Sequence, residues 1–212
     1  MLKLNYIIWK LIRMDPNTPL EESMIALNTA VKSGKALYAG ISNYNKENTQ
    51  KAMEILKDLK CPLIINQSRY SIFDRHIETD GLKDFASYNG CEIIAFTPMA
   101  QGLLSDKYLH GIPEDSRINR DGRFLKSGQL TEDKLNQISA LNNIAKARGQ
   151  SLAQMALSWV LKDDVITSVL IGSSRPKQII ENIDIVDKCT FTIEAIDKIS
   201  QCTSKYTRYM IV

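Results

Sequence analysis

Apolar residues recur along this chain in two alternating rhythms. Short continuous apolar runs begin near Leu4, Ala36, Leu63, Glu92 and Ser168, and the segments between them carry apolar residues at helical spacing. The first run lies in Met1 to Met14, where Ile7, Ile8, Trp9, Leu11 and Ile12 cluster. Lys10 and Arg13 interrupt it, no small-residue cleavage site precedes Asp15-Pro16, and it is too short to span a bilayer. It reads as a buried strand rather than a signal peptide. Thr18-Pro19-Leu20-Glu21 then predicts an N-cap, a proline at the first helical position and a capping-box glutamate. Leu20, Met24, Leu27 and Val31 line one helical face, and Gly34 closes the helix. Ala36 to Ile41 is a strand ending in Ser42-Asn43. A helix from about Asn45 follows, with Ala52, Ile55, Leu56 and Leu59 on one side.

The rhythm continues with a strand at Leu63 to Asn66, a helix at about Thr79 to Asn89 and a strand at Glu92 to Thr97 closed by Pro98. Helical spacing returns at Thr131 to Ala147, Ser151 to Leu161, Pro176 to Val186 and Thr192 to Ser200. A strand at Ser168 to Ile171 ends in Gly172-Ser173-Ser174. Strands apolar on both faces and separated by amphipathic helices predict a parallel α/β sheet. The stretch from Gly102 to Leu130, which contains Gly, Pro, Ser, Lys and Arg, is too long for an ordinary connector, and loops of that length are usually functional lids or disordered. No repeat, low-complexity tract or linker interrupts residues 1–212, so one domain is expected, with Ser204 to Val212 fraying.

Composition narrows the class. With 212 residues, 44% apolar and 24% charged, 10 Gly and 6 Pro, disordered, collagen-like and coiled-coil chains are excluded. The charge of 27 − 24 = +3 arises from interspersed signs, which argues against nucleic-acid and membrane surfaces as partners. Cys61, Cys91, Cys189 and Cys202 lack CxxC spacing, and His76 and His110 are the only imidazoles, so neither a metal site nor a disulfide framework is indicated. Free thiols and the lack of a targeting signal point to the cytoplasm.

In parallel α/β folds ligands gather at the C-terminal ends of strands. Here those ends are Ser42-Asn43, Asn66-Gln67, Phe96-Thr97-Pro98 and Gly172-Ser173-Ser174: polar groups with one aromatic and almost no carboxylate. The ordered series Gly40-Ile41-Ser42-Asn43, Asn66-Gln67, Thr97-Pro98-Met99-Ala100-Gln101-Gly102-Leu103 and Ile171-Gly172-Ser173-Ser174 with Gln178, Glu181 and Asn182 resembles the aldo-keto reductase superfamily. Gly111-Ile112-Pro113, Arg117 and Phe124-Leu125-Lys126 bring it nearest to the bacterial L-glyceraldehyde 3-phosphate reductase and potassium-channel β-subunit group.

The resemblance implies a (β/α)8 TIM barrel binding NADP(H) in extended form and reducing aldehydes or ketones. It implies that Ser42, Asn43 and Gln67 bond the nicotinamide carboxamide and that Phe96 takes the place of the aromatic stacked on the ring. Thr97, Pro98, Met99 and Gly102 would pass beside the pyrophosphate, with Lys107 and Arg117 adding positive charge. Gly172, Ser174, Gln178, Glu181 and Asn182 would hold the adenosine end. Independently of the family, amides and the helix dipole near Ser174 to Lys177 favour a phosphate, and Arg117, Arg175 and Lys177 suit a 2′-phosphate.

Against the eight strands of the family, five are legible, which predicts a barrel lacking about its first three βα units. By the resemblance, the catalytic Asp, Tyr and Lys belong to those units, and Ile12 stands where the family has its His, so no catalytic residue is assigned. Tyr38, Tyr44 and Tyr70 read as packing residues, and His76 and His110 as surface residues. Open sheet edges favour self-association. Two rival expectations follow: a catalytically inactive NADPH-binding or regulatory module, and a degenerate fragment that binds nothing.

Overall fold

The apolar runs become the strands β1 (Tyr6–Lys10), β2 (Ala36–Ser42), β3 (Leu63–Arg69), β4 (Glu92–Phe96) and β5 (Ile166–Val169), which form one sheet in sequence order. β1 to β4 pair in parallel. The structure, a computed structural model, describes residues 6–109, 128 and 130–203. Arg117, His110, most of the Gly102 to Leu130 loop and the Ser204 to Val212 tail lie outside the described residues. Helices α1 (Leu20–Lys32), α2 (Lys46–Asp58), α3 (His76–Thr79) and α4 (Leu82–Asn89) connect the first four strands. Four more, α5 (Glu132–Ala147), α6 (Leu152–Val160), α7 (Pro176–Ile183) and α8 (Ile193–Thr203), follow β4.

The described residues divide into two compact units: 6–69, 76–96 and 165–168 in the first, and 70–75, 97–109, 128, 130–164 and 169–203 in the second. In the first, α1 and α2 close over the sheet through Met24, Leu27, Ala39, Ile41, Ala52 and Leu56, each no more than 1% exposed. At its β1 side Ile7, Ile12 and Leu37 remain exposed. In the second, α6 is buried nearly all round, from Leu152 to Val160. Trp159 lies against Tyr70 (5.2 Å between ring centroids), with the Arg75 guanidinium 4.6 Å and the Lys162 ammonium 3.8 Å from its ring. α5 packs on α8 and α6 on α7.

Side-chain caps mark the starts of α2, α5 and α6. Asn45 accepts from the Asn48 N–H at 2.9 Å and Thr131 from that of Lys134 at 3.2 Å, while Ser151 and Gln154 form a reciprocal capping box. Thr18 departs from expectation. Its hydroxyl donates to Asp15 at 2.7 Å, so the side chain is spent in the preceding turn; Pro19 takes the cap position, and no side chain caps α1. The helix expected at Thr79 to Asn89 is two short ones, because Gly81 adopts φ 76° and Asp80 accepts from the Leu82 N–H. The last strand starts two residues before the expected Ser168: Ile166 is its buried anchor, whereas Leu170 is 46% exposed. Tyr44 and Tyr70 are buried as expected, but Tyr38 is 38% exposed. All four cysteines are free thiols. Among the described residues no helix is long and apolar enough to cross a membrane.

Candidate functional site

Strand alternation sorts the polar strand ends into two kinds. Asn66 turns toward the helices, fully buried, and its amide nitrogen donates to the Tyr44 carbonyl (2.8 Å) and the Thr49 hydroxyl (3.0 Å). It fixes the β2–α2 corner. Gln67, one residue on, faces the opposite side of the sheet. The register pairs Lys10 with Gly40, Gly40 with Ile65, Ser42 with Gln67, Gln67 with Ile94 and Arg69 with Phe96. Lys10, Gly40, Gln67 and Phe96 therefore share the face away from Ala39 and Ile41.

The hydrogen bonds on this face leave a definite pattern. The Gln67 carbonyl accepts from the Ser42 hydroxyl (2.8 Å) and the Asn43 N–H (3.0 Å), tying the ends of β2 and β3 together. Ser42, 2% exposed, is thereby occupied. The Asn43 side-chain nitrogen reaches the Ile12 carbonyl (3.4 Å) and the Ser42 hydroxyl (3.3 Å), and on this exposed residue Oδ1 has no hydrogen bond among the described residues. The Lys10 ammonium donates to Oε1 of Gln67. An ammonium only donates, so Gln67 turns its oxygen to Lys10 and keeps its Nε2 donor unused. Asn43 sits at φ 60°, a left-handed conformation that asparagine tolerates. Phe96, half-buried, ends β4. Ile12 at the end of β1 is 76% exposed and contributes only its carbonyl.

The remaining predicted residues belong to the second unit. Thr97 has φ 59°, Ala100 46°, Gln101 60° and Gly102 102°. Such clustering of left-handed residues, one of them β-branched, marks a backbone held against its preference. The Met99 carbonyl accepts from the N–H groups of Gly102 (2.8 Å) and Leu104 (3.1 Å), Pro98 is buried, and Lys107 is exposed on a short 3₁₀ turn, Asp106–Tyr108.

Around the start of α7, Gly172, Ser174 and Glu181 are exposed, Gln178 is half-buried and Asn182 is 9% exposed. Arg175 occupies the N-cap without a side-chain cap bond. Ser174 serves Gln178 instead, its N–H and hydroxyl both reaching Oε1 (3.0 and 3.3 Å). Pro176 has no N–H, so the free amides expected from Ser174 to Lys177 reduce to those of Arg175 and Lys177. Lys177 pairs with Glu181 at 3.6 Å, and the Glu181 carbonyl accepts from Gln154.

Sequence reasoning missed Lys10 and the role of Gly40. A methyl group on Gly40 would meet Ile65 Cγ1 and Ile8 Cγ2 at 3.0 Å and Lys10 Cγ at 3.4 Å. The lysine stem thus crosses β2 over a glycine to reach β3. A lysine interrupting the apolar cluster Ile7 to Ile12 was the available signal. Among the described residues no cluster of His, Cys, Asp and Glu could hold a metal ion.

The Aldo/keto reductase family model matches residues 2–204. L-glyceraldehyde 3-phosphate reductase of Escherichia coli (strain K12) is 52% identical over 192 residues, covering 89% of this chain and 56% of that protein. A probable voltage-gated potassium channel subunit beta of Arabidopsis thaliana is 35% identical over 195 residues, covering 89% and 59%. The chain thus spans somewhat more than half the length of these curated relatives. A glycerol dehydrogenase from Gluconobacter oxydans superposes with a TM-score of 0.76 at 24% identity over 95% of this chain and 59% of its own. A thermostable aldo-keto reductase does so at 0.71 and 23%, over 93% and 60%. These two speak for the fold alone, the α/β TIM-barrel type. With the family model matched along nearly the whole sequence, the chain belongs to the aldo/keto reductase family.

Proposed function

We propose that this chain carries the NADP(H)-binding part of a reductase acting on aldehydes and ketones, with small phosphorylated aldehydes of the glyceraldehyde 3-phosphate kind as the substrate class. The observation that carries this is the pair of amides at the ends of β2 and β3. Asn43 offers an acceptor, Oδ1, and Gln67 a donor, Nε2, each fixed by what its other atom already bonds. A primary carboxamide needs that complement, one donor for its oxygen and one acceptor for its NH₂. Ser42 would act by holding the Gln67 backbone in place, and Phe96 would offer an apolar face to the nicotinamide ring. The cofactor, when bound, supplies a hydride to the substrate carbonyl carbon.

In the second unit, the left-handed turn Thr97 to Gly102 suits a backbone that follows a pyrophosphate, with Pro98 and Met99 shaping it and Lys107 contributing charge. Arg117 would add charge from outside the described residues. Gly172, Ser174, Gln178, Glu181 and Asn182 would contact the adenosine end, and Ser174 would exchange its bond to Gln178 for one to a phosphate. The substrate class comes from the E. coli relative.

One observation favours a second reading, cofactor binding without turnover. Ile12, at the position of the family His, has an aliphatic side chain that cannot protonate a carbonyl oxygen, and positioned acids contribute about 10² to 10⁴-fold. One experiment addresses both readings. NADPH is titrated against wild type, Asn43→Leu and Gln67→Leu, with 2′-phospho-ADP-ribose as a ligand lacking the nicotinamide. Each substitution is expected to weaken NADPH about tenfold and leave the truncated ligand unchanged. Equal effects on both ligands, or no binding to wild type, refute the nicotinamide assignment. Aldehyde-dependent oxidation of NADPH supports the reductase, and binding without it supports the second reading.

A further inference from the structure

The Lys10–Gln67 bond places a positive charge where the amide pair would receive the nicotinamide. We propose that Lys10 is a specificity-determining residue that makes this site favour the reduced cofactor, NADPH, over NADP⁺. The inference rests on the assignment of Asn43 and Gln67 to the carboxamide.

Three observations carry it. The ammonium is held rather than free: its stem lies over Gly40, where a methyl group would stand 3.4 Å from Lys10 Cγ, and its head bonds Oε1 of Gln67. Among the described residues no acidic side chain pairs with the ammonium, and burial lowers its proton affinity. Partial burial also removes some of the water that would screen it. Finally, its partner is the one side-chain atom of Gln67 that the carboxamide does not need, so cation and ligand are compatible neighbours.

The two redox forms differ in one respect at this end. The nicotinamide ring of NADP⁺ carries a positive charge and that of NADPH is neutral, while the carboxamide is the same in both. Hydrogen bonds from Asn43 and Gln67 therefore serve both forms alike, and a fixed ammonium repels only the oxidised one. For like charges roughly 6 to 10 Å apart, at an effective dielectric near 20 and with the screening of ordinary salt, the difference is about two- to tenfold in relative affinity. Lys10 also orients Gln67, so its loss weakens both forms to some extent. The ratio of the two affinities separates charge from orientation.

The test measures dissociation constants of NADPH and NADP⁺ for wild type, Lys10→Met and Lys10→Arg, with thermal unfolding of each. Methionine keeps an unbranched stem and removes the charge; arginine keeps the charge. The ratio Kd(NADP⁺)/Kd(NADPH) is expected to fall about two- to tenfold in Lys10→Met and to stay near the wild-type value in Lys10→Arg. In wild type it is expected to shrink as salt is raised. Wild type binding both forms with a ratio unmoved by Lys10→Met overturns the inference and leaves the amide assignment standing. Wild type binding neither form overturns both. Should Lys10→Met unfold, the decision passes to wild type and Lys10→Arg: a salt-independent ratio in both overturns the inference, and a ratio that declines with salt in both supports it.

Discussion

Replacing Gly40 by alanine adds one methyl group where side chains of β1 and β3 crowd the β2 backbone. Gly40 has no left-handed φ, so the backbone accepts a side chain there and the outcome depends on space. The new carbon would stand 3.0 Å from Ile65 Cγ1 and 3.0 Å from Ile8 Cγ2, well inside the optimum of about 3.5 to 4.0 Å for carbon pairs. Ile65 is 7% exposed and has little room; Ile8, half-buried on the end strand of the described sheet, can give way. Overpacking of this kind costs about 1 to 3 kcal/mol, and the stiffer unfolded chain returns about 0.4 to 1 kcal/mol. The expected net destabilisation is about 1 to 2 kcal/mol, read by urea unfolding followed by circular dichroism with an unchanged m-value. Ile8→Ala in the same chain removes one of the two close atoms, so the double variant should lose less than the sum of the single losses, by at least 0.5 kcal/mol or so. A Gly40→Ala protein as stable as wild type, or strictly additive effects, would refute the close-approach argument.

Lys134 is 7% exposed, with its ammonium 3.8 Å from the centroid of the Phe73 ring, and burial lowers its pKa from 10.5 to about 8. The native state therefore releases this proton before the unfolded chain does, and between about pH 8 and 10.5 this group makes stability rise with pH. Lys134→Met should be more stable than wild type at pH 7 by about 1 to 3 kcal/mol, with the gap closing by pH 11; a gap constant from pH 7 to 11 is the contrary result. Thr97 at φ 59° stores strain that glycine would not. Thr97→Gly should raise the midpoint of unfolding by about 0.5 to 1 kcal/mol equivalent, and a lowered midpoint would show that its side chain contributes more than its backbone costs.

The order of elements was readable because each depends on its own residues. Ala52, Leu56 and their neighbours fall on one helical face, and Asn45, Thr131 and Ser151 cap the helices that follow them. What failed was decided by competition or by distance. Thr18 looks like a cap until Asp15 takes its hydroxyl, and Ser168 to Ile171 looks like a strand until burial selects Ile166. The site divided in the same way. Asn43 and Gln67 stand at strand ends by sequence alone, whereas the states of their amides depend on Ile12 and Lys10, residues 31 and 57 positions away. Asn66 and Gln67 are chain neighbours with similar side chains, and strand pairing separates a fully buried corner support from a residue facing the other side of the sheet.

The chain's two tryptophans fall one to each compact unit, Trp9 in the first and Trp159 in the second. Their surroundings differ in ways that light can read. Trp9 is 38% exposed on the first strand, where water shifts indole emission to longer wavelength. Trp159 is 1% exposed, flanked by Tyr70 and two cations, so it should emit at short wavelength with reduced yield and receive excitation energy from the tyrosine. The native spectrum is thus a sum of two colours with separate addresses. Denaturation followed at both would reveal whether the units melt as one cooperative block or in succession, without a label or any change to the sequence.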